Sequence, residues 1–240
     1  MIYAEILAGG KGSRMGNTDM PKQFMYIGDK PIIIHTLEIF LLTKRIDKVI
    51  IVTPKNWIPH MNDLIKKTVH TELIDKVIVC EGGEDRNSSI MNGIECIRKK
   101  FGIKNEDIVI THDAVRPFVT KRIIEENIDM AIKYGATDTV VPAIDTIISS
   151  IDGDTISDIP IRNTMYLGQT PQSFNINKLV DIYKSLRDEE KEILTDAAKM
   201  FILKKEKVKL VNGEIFNIKI TTKYDLSIAK SLLEVGSYDK

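Results

Sequence analysis

Glycines and cations are concentrated near the start of the chain, in the segment LAGGKGSRMG at residues 7–16 and the PKQF that follows at 21–24. Glycines after a strand let backbone N–H groups approach phosphate oxygens, and cations neutralise the phosphate charge. Lys11, Arg14 and Lys22 supply those cations. The segment therefore predicts a cradle for a nucleotide triphosphate, the alternative being a plain strand-to-helix turn.

Two common phosphate-binding motifs do not fit this segment. The dinucleotide fingerprint needs G-x-G-x-x-G, but Gly10, Gly12 and Gly16 have one residue too many between the last two glycines. The Walker motif G-x-x-x-x-G-K-[ST] does not occur in the sequence. The spacing disfavours a nicotinamide dehydrogenase.

A second candidate segment is THDAVRPF at 111–118, which closes an apolar run. An aspartate at the carboxyl end of a strand is well placed to bind Mg²⁺, so Asp113 is the candidate metal ligand. Arg116 can bind a phosphate or carboxylate through its planar guanidinium group. A structural salt bridge between these two residues is the alternative, and we expect His112 to be a packed, hydrogen-bonded residue.

Further candidates lie in four later segments. EGGEDRNSS at 81–89 combines glycines with serines near a predicted helix start, where N–H groups bind anions or ligand carbonyls and hydroxyls cap the helix. The other three segments supply polar or cationic side chains, namely Arg162 and Thr170, Thr195 and Asp196, and Lys219. Their spacing does not tell whether these side chains face the same cleft or the solvent.

Short β-branched runs alternate with amphipathic stretches over the first 143 residues. The runs at 3–7, 48–53, 76–80, 107–111 and 137–143 are apolar nearly throughout, which is typical of parallel strands covered on both faces. Helical patterns at 31–44, 86–102 and 121–135 lie between them, and the last two end at Gly102 and Gly135. The alternation predicts a doubly wound α/β domain with a mostly parallel sheet.

The pattern changes at 144–163, where apolar and polar residues alternate around Asp152-Gly153 and predict a projecting β-hairpin. Helices at 175–187, 195–204 and 222–235 and a strand at 207–212 complete the expected elements. We expect one domain over residues 1–240, with the hairpin packed against another surface such as a second subunit.

The composition sets limits on the partners. The 34 basic and 34 acidic residues balance, which gives no reason to expect a nucleic acid or an anionic membrane as a partner. No apolar run reaches the ~18 residues of a membrane span, and no signal peptide is evident. The expected location is the cytoplasm.

In chain order, the motifs LAGGxGxRMG with PKQF, GGxxRxxS, HDAxRPF, TPQxF, TDxA and NIKxT closely resemble those of one family. The family is that of the cytidylyltransferases that make CDP-sugar alcohols, and the resemblance covers residues 2–236. It implies a Rossmann-like nucleotidyltransferase fold, CTP and Mg²⁺ as cosubstrates, and a homodimer formed through the hairpin arm.

The resemblance also assigns roles to individual residues. Arg14 and Lys22 would stabilise the pyrophosphate side and Lys219 the α-phosphate, and Asp113 would bind the metal. The resemblance also implies two binding sites. The CTP site consists of Leu7, Ala8, Gly9, Gly10, Arg14, Lys22, Gly83, Glu84, Arg86, Ser89 and Ala114. The sugar-phosphate site consists of Asp113, Arg116, Arg162, Thr170, Thr195 and Lys219, with Arg162 reaching across from the hairpin arm of the partner subunit. One departure is Glu84, where the erythritol enzymes carry Asp, which leaves its contact with the ribose or base open.

Two acceptors are compatible with the family. Thr111, Val115 and Phe118 and the run RNTMYLGQTPQSFNIN look more like the ribitol-5-phosphate enzymes of teichoic acid synthesis. The alternative is 2-C-methyl-D-erythritol 4-phosphate, the acceptor of the isoprenoid enzymes. A CTP-binding sensor without turnover is the third alternative.

Overall fold

The computed structural model describes residues 1–10 and 20–235. Lys11 and Arg14 lie outside the described residues. The strands and helices, numbered in chain order, are β1 Ile2–Leu7, β2 Tyr26–Ile27, β3 Lys30–Pro31, α1 Ile32–Leu42, β4 Lys48–Thr53, α2 Ile58–Thr68, α3 Thr71–Ile74, β5 Val77–Glu81, α4 Arg86–Phe101, β6 Ile108–Asp113, α5 Lys121–Tyr134, β7 Ala136–Pro142, β8 Tyr166–Asn175, α6 Ile176–Ser185, α7 Asp188–Glu192, α8 Ala197–Leu203, β9 Lys209–Asn212 and α9 Lys223–Val235.

The described residues form a seven-stranded sheet in the order β5-β4-β1-β6-β8-β7-β9, with a small β2-β3 ribbon beside it. Strand β8 runs antiparallel to both β6 and β7, whereas the other pairings in this sheet are parallel. The mostly parallel α/β fold predicted from the sequence is therefore confirmed. Strand β8 itself was not predicted.

Helices cover both faces of the sheet, as the continuous apolar strands require. One face packs against α1, α2 and α5, and the other against α4, α6 and α8. A third apolar cluster joins α9 to the segment around Val115 and Phe118. Two helix ends follow the sequence prediction, because Gly102 (φ 72°) and Gly135 (φ 84°) adopt the positive φ that favours glycine.

The predicted hairpin at 144–163 projects from the sheet with little regular pairing. Its only β-bridge among the described residues joins Ser149 to Asp158, and Asp152 stabilises the tip by accepting hydrogen bonds from the backbone of Asp154 and Thr155. Most of its side chains are exposed. An isolated two-stranded ribbon has no surface on which to bury its apolar side chains, so its ladder stays short.

The helices in the described part of the chain include none that is long and apolar enough to cross a lipid bilayer.

Candidate active site

A cavity of about 300 Å³ opens at the carboxyl ends of β1 and β6, where ligands bind in open α/β sheets. Leu7 and Asp113 are register partners on these two strands, so the two predicted segments meet there. The cavity is lined by Leu7, Ala8, Gly9, Gly10, Lys22, Gln23, Gly83, Glu84, Asp85, Arg86, Ser89, Asp113, Ala114, Val115 and Lys219.

One wall of this cavity is the end of β1. The backbone N–H of Ala8 donates to the carbonyl of Val52 (2.7 Å), and its carbonyl accepts from Nε2 of Gln23 (2.7 Å). Gln23 thereby ties the PKQF segment to the strand end and brings the neighbouring Lys22 over Gly10. A Cβ added to Gly10 would lie 3.6 Å from Cε of Lys22. Sequence reasoning missed Gln23, although its motif was recognised.

The opposite wall is the loop before α4 and the first turn of that helix. Asp85 caps the helix by accepting from the backbone N–H of Ser88 (2.8 Å), and Ser88 Oγ accepts from the backbone N–H of Asp85 (3.0 Å). Ser89 Oγ accepts from the backbone N–H of Gly83 (3.0 Å), which holds the glycine loop against the helix. The loop therefore presents a helix N-terminus, with its N–H groups, to the cavity.

Three cations converge on the buried carboxylate of Asp113. Arg86 Nη1 contacts Oδ1, Lys219 Nζ lies 2.8 Å from Oδ2, and Arg116 Nε lies 3.6 Å from Oδ2. Burial alone would raise the pKa of the Asp113 carboxyl, but the charges of Arg86, Lys219 and Arg116 hold that pKa well below its usual range. The Asp113–Arg116 pair predicted from spacing exists and is the longest of the three.

Asp113 fits a magnesium ion only as part of a larger set of ligands. Within the described residues, no group of three or more His, Cys, Asp or Glu side chains could hold a metal ion. Mg²⁺ needs only one or two carboxylates when phosphates and water complete its shell. Because both Asp113 oxygens already face cations, nucleotide phosphates would have to take over some of those cations when the metal binds.

A second cavity, of about 420 Å³, lies between the base of the arm and the segment leading to α9. Arg116 and Lys219 line it, and Lys219 also lines the first cavity. Most of the remaining lining is apolar, and includes Val141, Pro142, Ala143, Ile144, Ile147, Leu167, Ile215 and Ile218. An anionic group at the Arg116 end would thus lie next to Asp113.

Three residues predicted to bind the sugar phosphate line neither cavity. Thr170 is buried behind Asp113, whose backbone N–H it accepts at 3.2 Å. Arg162 is exposed on the arm and donates to the carbonyl of Ile144 (3.3 Å), and Thr195 is exposed just before α8. Their substrate contacts stay predictions.

Comparison with known proteins decides between the classes of nucleotide enzyme. The model of the family described as IspD, 2-C-methyl-D-erythritol 4-phosphate cytidylyltransferase, matches residues 2–235. The chain belongs to this IspD family. It is a cytidylyltransferase by family, and the nicotinamide dehydrogenase is discarded.

Solved structures of IspD enzymes have the same fold. The 4-diphosphocytidyl-2C-methyl-D-erythritol synthase of Anaerococcus prevotii is 27% identical with a TM-score of 0.78, covering 97% of this chain and 96% of its own. The IspD of Francisella tularensis is also 27% identical with a TM-score of 0.78, covering 96% of this chain and 98% of its own. The Thermus thermophilus enzyme, 24% identical over 98% of this chain and 100% of its own with a TM-score of 0.74, shares the fold.

These comparisons favour the erythritol enzymes over the ribitol enzymes that the sequence motifs placed first. They support the IspD type of cytidylyltransferase and do not extend to the ribitol acceptor.

Proposed function

We propose that this protein transfers the cytidylyl group of CTP to 2-C-methyl-D-erythritol 4-phosphate and releases pyrophosphate. The observation that carries the proposal is the position of Lys219, which lines both cavities and contacts Asp113. A cation shared by neighbouring cavities can neutralise charge that builds up when the phosphate of one substrate attacks that of the other. The family match supports the choice of nucleotide and acceptor.

The first cavity is the proposed CTP site. Gly9 and Gly10, Lys22 and the N-terminus of α4 offer N–H groups and positive charge to the triphosphate. Gly83 and Ser89 lie on the opposite wall and are proposed to meet the ribose or base, with Glu84 beside them. Arg14 keeps its proposed role on the pyrophosphate side and lies outside the described residues.

The reaction is an in-line displacement. An oxygen of the acceptor phosphate bonds to the α-phosphorus of CTP while the bond from that phosphorus to the pyrophosphate oxygen breaks. A phosphate monoester is anionic at neutral pH, so the attack needs no general base. Lys22 and Lys219 contribute alignment and charge neutralisation, and bound Mg²⁺, held by Asp113, would add positive charge near the phosphates.

The second cavity is the proposed acceptor site. Arg116 and Lys219 would bind the phosphate of the acceptor at the end nearest Asp113. The apolar wall around Val141, Leu167 and Ile215 supports a branched acceptor, because it offers contacts to a C-methyl group. Arg162 and Thr195 remain proposed contacts that line neither cavity.

D-ribitol 5-phosphate is a second candidate acceptor. The motifs THDAVRPF and RNTMYLGQTPQSFNIN favour it because they look more like those of the ribitol enzymes. This acceptor would use the same nucleotide site and the same displacement.

A pyrophosphate-release assay tests the proposal directly. The protein is given CTP and Mg²⁺ with either 2-C-methyl-D-erythritol 4-phosphate or D-ribitol 5-phosphate, and we expect a higher kcat/KM with the erythritol compound. Preference for ribitol phosphate would replace the acceptor and keep the reaction. Calorimetric binding of CTP with no pyrophosphate released from either acceptor would indicate a nucleotide sensor and overturn the proposal.

We also propose that two copies pair through their arms. Isoleucines recur along the arm with their side chains exposed, and Ile151 at the tip is 95% exposed. Burying such side chains against a second copy removes apolar surface from water. In that arrangement the partner subunit's Arg162 would reach the acceptor site.

A further inference from the structure

Strands β6 and β8 separate just before the candidate active site. Their ladder runs from Ile108–Asn175 to Thr111–Gln172 and ends there. Beyond it, side chains replace the backbone pairing, because Thr170 Oγ1 accepts the backbone N–H of Asp113 (3.2 Å) and lies 3.0 Å from Nδ1 of His112. The gap holds the turn from Asp113 to Arg116, which carries two of the charged groups of the site.

The contacts of His112 determine which of its ring nitrogens carries hydrogen. Nε2 lies 3.0 Å from the backbone carbonyl of Arg116, and a carbonyl can only accept, so Nε2 must be the donor. The imidazole is fully buried against Phe40, and its two nitrogens face an uncharged carbonyl and an uncharged hydroxyl. Neither group compensates for burying a charged imidazolium, so the ring is neutral. Nδ1 therefore carries a lone pair and accepts the hydroxyl hydrogen of Thr170.

We propose that His112 is a positioning residue for cytidylyl transfer. Its Nδ1 takes the hydroxyl hydrogen of Thr170, so that toward every other group the Thr170 oxygen can only accept. Together with its own bond to Arg116, His112 thus holds the Asp113–Arg116 turn at both ends. The Thr170 oxygen receives the Asp113 N–H at one end of the turn, and His112 donates to the Arg116 carbonyl at the other. With its hydrogen committed to His112, Thr170 has none to offer a substrate phosphate. In this proposal Thr170 acts through Asp113, whereas the family resemblance gave it a direct contact with the substrate phosphate.

Other bonds hold the middle of this turn but do not substitute for the His112–Thr170 pair. Thr36 Oγ1 donates to the carbonyl of Ala114 (3.0 Å), and the Arg116 guanidinium donates to the carbonyl of Asn217 (2.7 Å). Loss of His112 would leave the Arg116 carbonyl without this donor, while the Arg116 N–H still donates to the Asp113 carbonyl (3.0 Å). Because Arg116 lines the acceptor cavity and not the nucleotide cavity, the effect should fall on the acceptor side.

The catalytic part of this inference rests on the proposed function, and kinetics test it. We expect His112→Leu and Thr170→Val each to lower kcat/KM for the polyol phosphate by about 10- to 100-fold while CTP binding is retained, since a displacement of ~1 Å has costs of this order. The double variant should be no worse than the worse single variant, and Thr170→Ser should recover much of the loss. His35→Leu is the matched control, because His35 Nε2 also contacts a carbonyl, that of Ile27 at 2.8 Å, outside the site.

Nitrogen-15 NMR of the imidazole in the wild-type protein tests the hydrogen-bond polarity without relying on activity. We expect His112 to be protonated at Nε2 and unprotonated at Nδ1. A proton on Nδ1, or wild-type kcat/KM in folded His112→Leu or Thr170→Val, overturns the inference. If His112→Leu does not fold, Thr170→Val and the NMR measurement decide; if neither acceptor reacts, the proposed function fails while the NMR result still tests the polarity.

Discussion

The ammonium nitrogen of Lys219 lies 2.8 Å from Oδ2 of Asp113, at the boundary between the two cavities of the candidate site. The two residues come from segments that are distant in the chain, Lys219 from the segment before α9 and Asp113 from the end of β6. The contact keeps the lysine where the phosphates of both substrates are proposed to meet.

Lys219→Met should lower kcat by about 10²-fold, or ~3 kcal/mol of barrier, because one charge facing the transferring phosphate is lost. Steady-state pyrophosphate release measures the effect. Lys223→Met is the control, because Lys223 is an exposed lysine at the start of α9 that lines neither cavity. Equal kcat values for the Lys219 variant and the wild type would remove Lys219 from the mechanism.

Asp113→Asn should separate metal binding from nucleotide binding. The substitution removes the carboxylate charge that Arg86 and Lys219 now neutralise, so CTP without Mg²⁺ should bind at least as tightly as it does to the wild type. Activity should nevertheless fall and need more Mg²⁺ for half-saturation, as followed by metal titration after EDTA treatment. An unchanged Mg²⁺ dependence would show that Asp113 is not the metal ligand.

Glu5→Gln should change how stability depends on pH. Burial raises the pKa of the Glu5 carboxyl well above its usual range, partly opposed by Arg86, and its oxygens have no hydrogen-bond partner among the described residues. The folded state therefore keeps a proton that the unfolded chain releases above its own pKa, so the Glu5 contribution to the free energy of unfolding decreases as pH rises between the two pKa values.

Relative to Glu5→Gln, the wild type should lose about 1.4 kcal/mol of stability per pH unit across that window. Urea unfolding of both proteins at pH 5 and pH 8 measures the difference, and titrations that both proteins share cancel. Parallel stability curves would mean that Glu5 is not protonated in the folded state.

Gly93→Ala should destabilise the protein, although alanine usually favours a helix. A Cβ on Gly93 would overlap Oε1 of Glu5, so α4 or the glutamate must move, at a cost of about 1–3 kcal/mol. In a Glu5→Ala background the space is free and the same substitution should cost much less. Chemical denaturation of the two single variants and the double variant gives the coupling; additive effects would show that the two side chains do not compete.

The double variant Ile148→Asp/Ile159→Asp in the hairpin arm should shift the protein from dimer toward monomer. Sedimentation velocity measures this change in oligomeric state. Both isoleucines are more than half exposed in the single chain, and each is the chain neighbour of one residue of the Ser149–Asp158 bridge. Ile132→Asp on α5, also at an exposed isoleucine, is the control and should leave the oligomeric state unchanged. A wild-type protein that sediments as a monomer would contradict the proposed pairing.

Local sequence patterns determined most of the regular structure. The apolar runs became β1, β4, β5, β6 and β7, and helices such as α4 and α5 end at the predicted glycines. These features depend on side chains a few residues apart, which the sequence displays directly. The same holds for the glycine loops, whose position after a strand fixes the edge of the sheet at which they lie.

Only the tertiary structure decided the features that depend on contacts between segments far apart in the chain. The segment YLGQTPQSFN contains Gly and Pro and has no strand pattern, yet it forms β8 because β6 and β7 offer it a backbone partner on each side. The carboxyl of Glu5 lies opposite Gly93 and has no hydrogen-bond partner in the described part of the chain, and no local pattern predicts either feature.

Around Asp113, the sequence determined the residue types, and only the fold decided their pairing. The spacing of Asp113 and Arg116 suggested an ion pair, but Arg86 and Lys219 come from remote segments and make the two closer contacts. Their convergence follows from the sheet, because its parallel strands bring their carboxyl ends to one edge. Charges far apart in the chain thus share one carboxylate, and no spacing rule reveals such a partner.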